Sequence, residues 1–189
     1  MVLPPKKRAW MQNFADLEAI RHKVMIYPAD TAYALGCNAE EDIHVERIFA
    51  LKDIISRRKP LPVIAPGKGW ILENCVVSEE LLDRYLPGRY SLILQKKNPN
   101  FLNLATTGLP TIGVRIPATR IAKLVEDAGV PFIATVANKF GGPAPKILSE
   151  VPEEIRKGVD LIVENGELAG ELSTLVDCTG TVETIIARV

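Results

Sequence analysis

Asp30, Thr31 and Tyr33 are the polar side chains of the segment Tyr27-Pro28-Ala29-Asp30-Thr31-Ala32-Tyr33-Ala34-Leu35-Gly36-Cys37-Asn38-Ala39. The apolar run from Val24 to Tyr27 reads as a buried strand that stops at a proline, turns, and re-enters an alternating pattern. Polar groups held on such a turn can face a cleft. Arg115 closes the apolar run Thr111 to Val114 and offers a planar fork of donors suited to a carboxylate or a phosphate. Pairing with a structural carboxylate is the other reading of the same residue. Arg57-Arg58-Lys59 stand just before Pro60-Leu61, as a phosphate contact or as a solvated basic loop. Ser173-Thr174, ahead of another apolar run, suit either a ligand or a sheet end. Asp177 reads as tying a loop rather than acting as a base.

Bulk properties exclude several classes. Lysine plus arginine equals aspartate plus glutamate at 23 each, so no global positive field points to nucleic acid, although a locally basic cleft is compatible with this balance. The 3 cysteines, Cys37, Cys75 and Cys178, are far apart and form no C-x-x-C pair, which argues against structural zinc and a disulfide framework and suits a reducing cytoplasm. Cys37 and Cys178 read as apolar filler, with no thiolate-activating neighbour in sequence. His22 and His44 are single histidines on predicted helices, without a second ligand at metal spacing. No apolar run is long enough to span a membrane, and Lys6-Lys7-Arg8 is not followed by a signal-peptide core. No G-x-x-x-x-G-K-[ST] loop is present, so any triphosphate must be gripped by side-chain cations.

The elements that must position these residues alternate along the chain. Helices are expected over 13–23, 42–53, 78–85, 119–128 and 149–157, the third capped by Ser78 and the fourth ended by Gly129. Strands are expected at 24–27, after the opening turn, and at 61–65, 90–95, 111–116, 132–136, 161–163, 174–177 and 184–188. Some strands are joined by tight turns. The fold class is therefore α/β (α+β): a mixed, twisted sheet of about seven strands with helices packed on it. Residues 1–12 read as an N-terminal tail and 13–189 as a single domain.

The opening segment resembles the P-T-D-T-x-Y-G-L-G-C-x-A signature of the YrdC-like family, the threonylcarbamoyl-adenylate synthases of tRNA modification. Leu86-Pro87-Gly88-Arg89-Tyr90-Ser91-Leu92-Ile93-Leu94 is similar to that family's W-P-G-P-x-T-L-x-L. Thr111 to Pro117 is similar to T-x-G-x-R-x-P, Ala134 to Asn138 to A-T-S-A-N, and Ser173 to Asp177 to S-T-V-V-D. The blocks occur in the family's order and cover roughly residues 13 to 189. The resemblance implies that bicarbonate and L-threonine join as a carbamate that attacks the α-phosphate of ATP, releasing pyrophosphate. ATP enters as a substrate with Mg2+, and no organic cofactor is implied. Lys52, Thr111, Asn138 and Arg188, with Arg57 or Arg58, are implied on the nucleotide side. Thr31, Tyr33, Arg115, Ser173 and Thr174 are implied on the threonine side. No residue is assigned as an acid or base. Such a displacement needs positioning, cations and exclusion of water more than covalent work.

The chain departs from the pattern at Ala29, at Ile54, where the arginine of a K-x-R pair is missing, and at Val136, where the serine of S-x-N is missing. Thr119 replaces a histidine that often follows R-x-P, and Arg188 lacks the glycine of R-x-G. Restoring arginine at 54 and serine at 136 is expected to raise any residual rate. The competing reading is a YciO-like paralogue that binds tRNA or double-stranded RNA without this activity, in an electropositive cleft. Partner proteins of tRNA modification are a further implication, a membrane is not, and the cytoplasm is the implied location.

Overall fold

The computed structural model describes residues 6–8, 14–30, 32–54, 59–170 and 173–186. Among these, strands β1 (Lys6–Arg8), β2 (Met25–Pro28) and β3 (Tyr33–Gly36) flank helix α1 (Phe14–His22), and helix α2 (Asp42–Leu51) follows. Strand β4 (Val63–Ile64), helix α3 (Lys68–Asn74), strand β5 (Cys75–Val76) and helix α4 (Glu79–Tyr85) come next. Strands β6 (Tyr90–Lys96) and β7 (Thr111–Arg115) precede helix α5 (Arg120–Ala128) and strands β8 (Phe132–Ile133) and β9 (Thr135–Val136). A 3-10 turn (Leu148–Glu150), helix α6 (Glu153–Lys157) and strands β10 (Leu161–Val163), β11 (Thr174–Asp177) and β12 (Thr184–Ile186) complete the order.

The strands form two mixed sheets rather than one. A five-stranded sheet runs β1-β10-β2-β3-β9, and a seven-stranded sheet runs β12-β11-β6-β7-β4-β8 with β5 paired to β6. Lys6–Arg8, read from sequence as part of a tail, pair in parallel with β10. That pairing is made by backbone groups, which a basic triplet does not advertise.

Local chemistry accounts for the helices. In α2, Val45, Ile48 and Phe49 are the buried residues, at the spacing of one helical face. Helix α4 begins where the Ser78 hydroxyl accepts the Leu81 N–H at 3.3 Å, with Glu79 and Glu80 in the first turn. Helix α5 buries Ile121, Val125 and Ala128 and ends at Gly129, whose φ of 71° is left-handed.

The segment 132–136, expected as one strand, is divided between the two sheets. Phe132 and Ile133 pair with β4, whereas Thr135 and Val136 pair with β3. Between them the Ala134 N–H donates to the Pro62 carbonyl at 2.8 Å. The sheets are also joined by the Ile133 N–H, which donates to Cys37 O at 2.8 Å, and by the Tyr27–Phe132 edge contact, with centroids 5.7 Å apart. Gly36 sits at this junction, where a Cβ would overlap the Ile133 carbonyl and the Phe132 ring. Gly36→Ala is therefore expected to destabilise the protein by about 1–3 kcal/mol, read as a lower urea midpoint with an unchanged m-value. An unchanged midpoint would show that the two sheets do not approach so closely here.

Candidate functional site

Strands β6, β7 and β11 each present a buried and a half-open side. Leu92, Leu94, Ile112, Val114 and Val176 are buried in the larger apolar cluster. The registers Leu92↔Val114, Gln95↔Thr111 and Leu175↔Ser91 place Ser91, Gln95, Thr111, Gly113, Arg115 and Leu175 on the opposite face. Ile93, registered against Gly113, shares this face; it, Gln95, Thr111, Gly113 and Leu175 are half-buried there, so a floor of mixed polar, small and apolar residues faces away from the core. Period-two alternation adds Ser173 to this face and puts Thr174 on the side of Val176. The Ser91 and Ser173 hydroxyls lie 3.1 Å apart.

Arg115 is at the C-terminal end of β7 and is only 9% exposed. Its Nη2 donates to both carboxylate oxygens of Asp30, at 3.0 and 2.8 Å. Asp30 stands on the β2–β3 turn, so one ion pair ties the floor of the seven-stranded sheet to a turn of the other. Arg115 Nε is buried with no partner among the described residues. Sequence reasoning put Asp30 on the cleft-facing turn but did not join it to Arg115, and the 85-residue separation leaves no spacing signal for the pair.

Lys52 and Asn138 meet elsewhere. The Lys52 ammonium donates to Val136 O at 2.6 Å, Asn138 O at 2.9 Å and Asn138 Oδ1 at 2.9 Å. An ammonium has three donors, so a phosphate reaching Lys52 has to displace one of these oxygens. The Asn138 amide in turn donates to Gly142 O at 2.6 Å. Burial first, and then the Lys59 charge, pull the Lys52 pKa down to about 8. The oxygens around it favour the charged form, so the turn is held best below that pH.

The remaining sequence candidates separate clearly. Tyr33 is fully buried; its hydroxyl donates to Gly166 O at 2.8 Å and accepts from the Asn165 N–H at 3.0 Å, which makes it a strut rather than a group open to the cleft. Ser173 and Thr111 share the floor with Arg115, and Thr174 does not. Thr31, Arg57, Arg58 and Arg188 lie outside the described residues. Cys37 is buried and its thiol is pushed far up, and Cys178 is pushed up to about 11, in both cases mainly by burial. Neither is a nucleophile at neutral pH. A cavity of about 580 Å³ opens where β4, α3 and the β7–α5 connection meet, lined in part by Ala65, Lys68, Ile116, Thr119 and Arg120. It adjoins the Arg115 cluster without containing it: its lining stops at Ile116.

The family model Sua5_yciO_yrdC, described as "Telomere recombination", matches residues 18–188. The chain belongs to the Sua5/YciO/YrdC family. It is 33% identical over 162 residues to the threonylcarbamoyl-AMP synthase of Pyrococcus abyssi, covering 83% of this chain and 47% of that protein. It is 29% identical over 174 residues to the uncharacterized protein YciO of Escherichia coli, covering 86% of this chain and 81% of that protein. The crystal structure of P. abyssi Sua5 complexed with L-threonine superposes with a TM-score of 0.78 at 28% identity, over 98% of this chain and 56% of that one. The chain thus spans about half the length of the P. abyssi protein.

The place of Ile54 is set by the end of helix α2. Helix α2 stops at Leu51, Asp53 adopts a left-handed φ of 55°, and the Ile54 N–H returns to Phe49 O at 3.1 Å. This is a Schellman ending, whose last residue packs inward. Ile54 is accordingly 8% exposed, in the core. Arginine placed there would not resume a phosphate contact, contrary to the sequence expectation. It would bury a charge.

Ile54→Arg is expected to lower unfolding stability by roughly 3 kcal/mol or more. Val136→Ser, at a half-buried strand position, should stay within about 1 kcal/mol of wild type. Urea titration of each variant checks the pair, and equal stabilities would show that position 54 faces solvent. Lys52 yields a pH test with a defined sign. Nucleotide affinity that depends on the ordered 136–142 turn should weaken as pH rises through about 8. The folded lysine releases its proton there and the unfolded one near its ordinary 10.5, so this residue's contribution to stability rises across the same interval. ATP binding titrated from pH 7 to 9.5 in wild type and Lys52→Met tests this, and a pH-independent wild type would refute it.

Proposed function

We propose that this chain is an L-threonylcarbamoyl-adenylate synthase serving the threonylcarbamoyladenosine modification of tRNA. L-Threonine, bicarbonate and ATP give threonylcarbamoyl-AMP and pyrophosphate. The observation that carries this reading is the buried Arg115 side chain at the edge of this half-buried sheet face, with its Nε–H lacking a partner among the described residues. The likeness to a Sua5 complexed with L-threonine supports it. In this reading Arg115 takes the threonine carboxylate with that Nε–H, and Ser173 lies on the same side. Thr31 belongs to the same proposal, Thr174 is left out of it by its place on the Val176 side of β11, and Tyr33 acts from behind as a strut.

The nucleotide, entering as its Mg2+ complex, lies along Thr111 and the turn that Lys52 and Asn138 hold. Arg57, Arg58 and Arg188 supply charge to the triphosphate. The carbamate oxygen then attacks the α-phosphate in line and pyrophosphate leaves. The protein's own contribution is to orient the two substrates and to keep water from the mixed anhydride. Cytoplasmic location and contact with tRNA and its modification proteins belong to the same proposal; the described residues form no helix long and apolar enough to cross a membrane.

The second reading, a YciO-like module that binds RNA without turnover, is favoured by the inward-facing Ile54 and by the likeness to YciO over most of that protein's length. Pyrophosphate release dependent on both threonine and bicarbonate separates the two. Wild type should release it, and Arg115→Ala should be slower by about a hundredfold, the loss of a charge-assisted contact of some 3 kcal/mol. No release under any combination of substrates, together with salt-sensitive RNA binding, would establish the second reading.

A further inference from the structure

Asp30 and Arg115 form an ion pair that uses only part of the guanidinium. One nitrogen, Nη2, serves both Asp30 oxygens, at 3.0 and 2.8 Å, whereas a carboxylate matched to arginine takes two nitrogens side by side. The Nε–H, on the same side of the guanidinium as Nη2, is buried and has no partner among the described residues. The two side chains are 11% and 14% exposed, so neither charge is well solvated.

These facts constrain the ligand. A simple carboxylate on the Nε edge would stand beside the Asp30 carboxylate, and two anions sharing one cation in a poorly solvated place repel. A ligand that carries its own cation next to its carboxylate removes the conflict. It would place the carboxylate on Arg115 and the cation on Asp30, leaving the four charges alternating. That is the arrangement of an α-amino acid zwitterion.

We propose that Asp30 receives the α-amino group of the substrate, and that the Asp30–Arg115 pair selects α-amino acids over the corresponding 2-hydroxy acids. This rests on the threonine-binding reading of Arg115 given above and adds a specificity-determining residue to it. Asp30 accepts an N–H from the bound ammonium form; carboxylation takes two protons from that nitrogen, one leaving in water with the bicarbonate oxygen and one going to solvent, and the single N–H left on the carbamate still faces Asp30. A merely structural Asp30 would neutralise Arg115 and be indifferent to what the ligand carries on its α-carbon.

Calorimetric titration of the full chain without nucleotide, using L-threonine and 2,3-dihydroxybutanoate of matching configuration, decides between these roles. Wild type should prefer threonine by about tenfold, the size of one charge-assisted hydrogen bond. Asp30→Asn should reduce the preference below about threefold, by weakening threonine while the hydroxy acid holds or gains affinity. An unchanged ratio in Asp30→Asn, or equal binding of the two ligands by wild type, would overturn the proposal. If Asp30→Asn does not fold, Asp30→Glu, which keeps the charge and moves it by one methylene, takes its place: the preference should narrow, and an unchanged ratio would overturn the proposal. Wild type that binds neither threonine nor any other amino acid would overturn the threonine-binding reading itself and this inference with it. Threonine bound without discrimination would overturn only the role of Asp30.

Discussion

An arginine side chain that is only 11% exposed must have a counter-charge, and this requirement organises the centre of the molecule. Arg115 ends the strand that forms the floor, and the chain answers it with Asp30 from the other sheet. The β2–β3 turn is thereby fixed over the end of β7. The turn's own closure is backbone: Ala29 N–H donates to Ala32 O at 3.1 Å, and Tyr33 N–H donates to Pro145 O at 2.9 Å. No hydroxyl at position 29 is needed for that closure, so alanine is tolerated there as far as the fold is concerned.

Lys52 answers the same constraint differently. It is 4% exposed and meets backbone and amide oxygens instead of a carboxylate. The two buried cations therefore differ in what ligand entry would cost. At Arg115 the Nε–H has no partner among the described residues to give up, but it is buried, and the side chains around it must part. At Lys52 an oxygen must be given up, and the turn from Val136 to Gly142 must yield, because Asn138 bonds at one end to Lys52 and at the other to Gly142. Under the proposed function, nucleotide binding would thus be coupled to the order of a loop, and amino-acid binding to charge balance.

Much of this was legible in the sequence, and the failures have physical reasons. Strands 161–163 and 174–177 fall where the pattern put them, because short β-branched runs bounded by breakers are unambiguous. Helix α3 escaped because it is short, is preceded by Gly67, contains Gly69, and buries only Ile71, so no periodic stripe marks it. The segment 132–136 reads as one strand in any local window, since its change of sheet is a tertiary event at Ala134. In the site, Arg115 stood out as a charge on an apolar strand. Its partner did not, being fixed by topology. Tyr33 misled for a related reason: all four residues of β3 are buried, so alternation along the strand could not tell core from cleft.

The corner after α2 shows how a local ending decides what chemistry is available. With Asp53 left-handed, the chain is turned so that position 54 enters the core and position 53 stays outside, where Asp53 pairs with Lys139 at 2.8 Å. An acidic side chain held at that corner repels a phosphate, and its neighbour 54 cannot reach one. The next cations along the chain are Arg57, Arg58 and Lys59. Lys59 lies 5.3 Å over the Phe140 ring, beside the turn that Lys52 holds. If a triphosphate is gripped on this side of the protein, the cations that follow position 54 in sequence are the candidates to hold it.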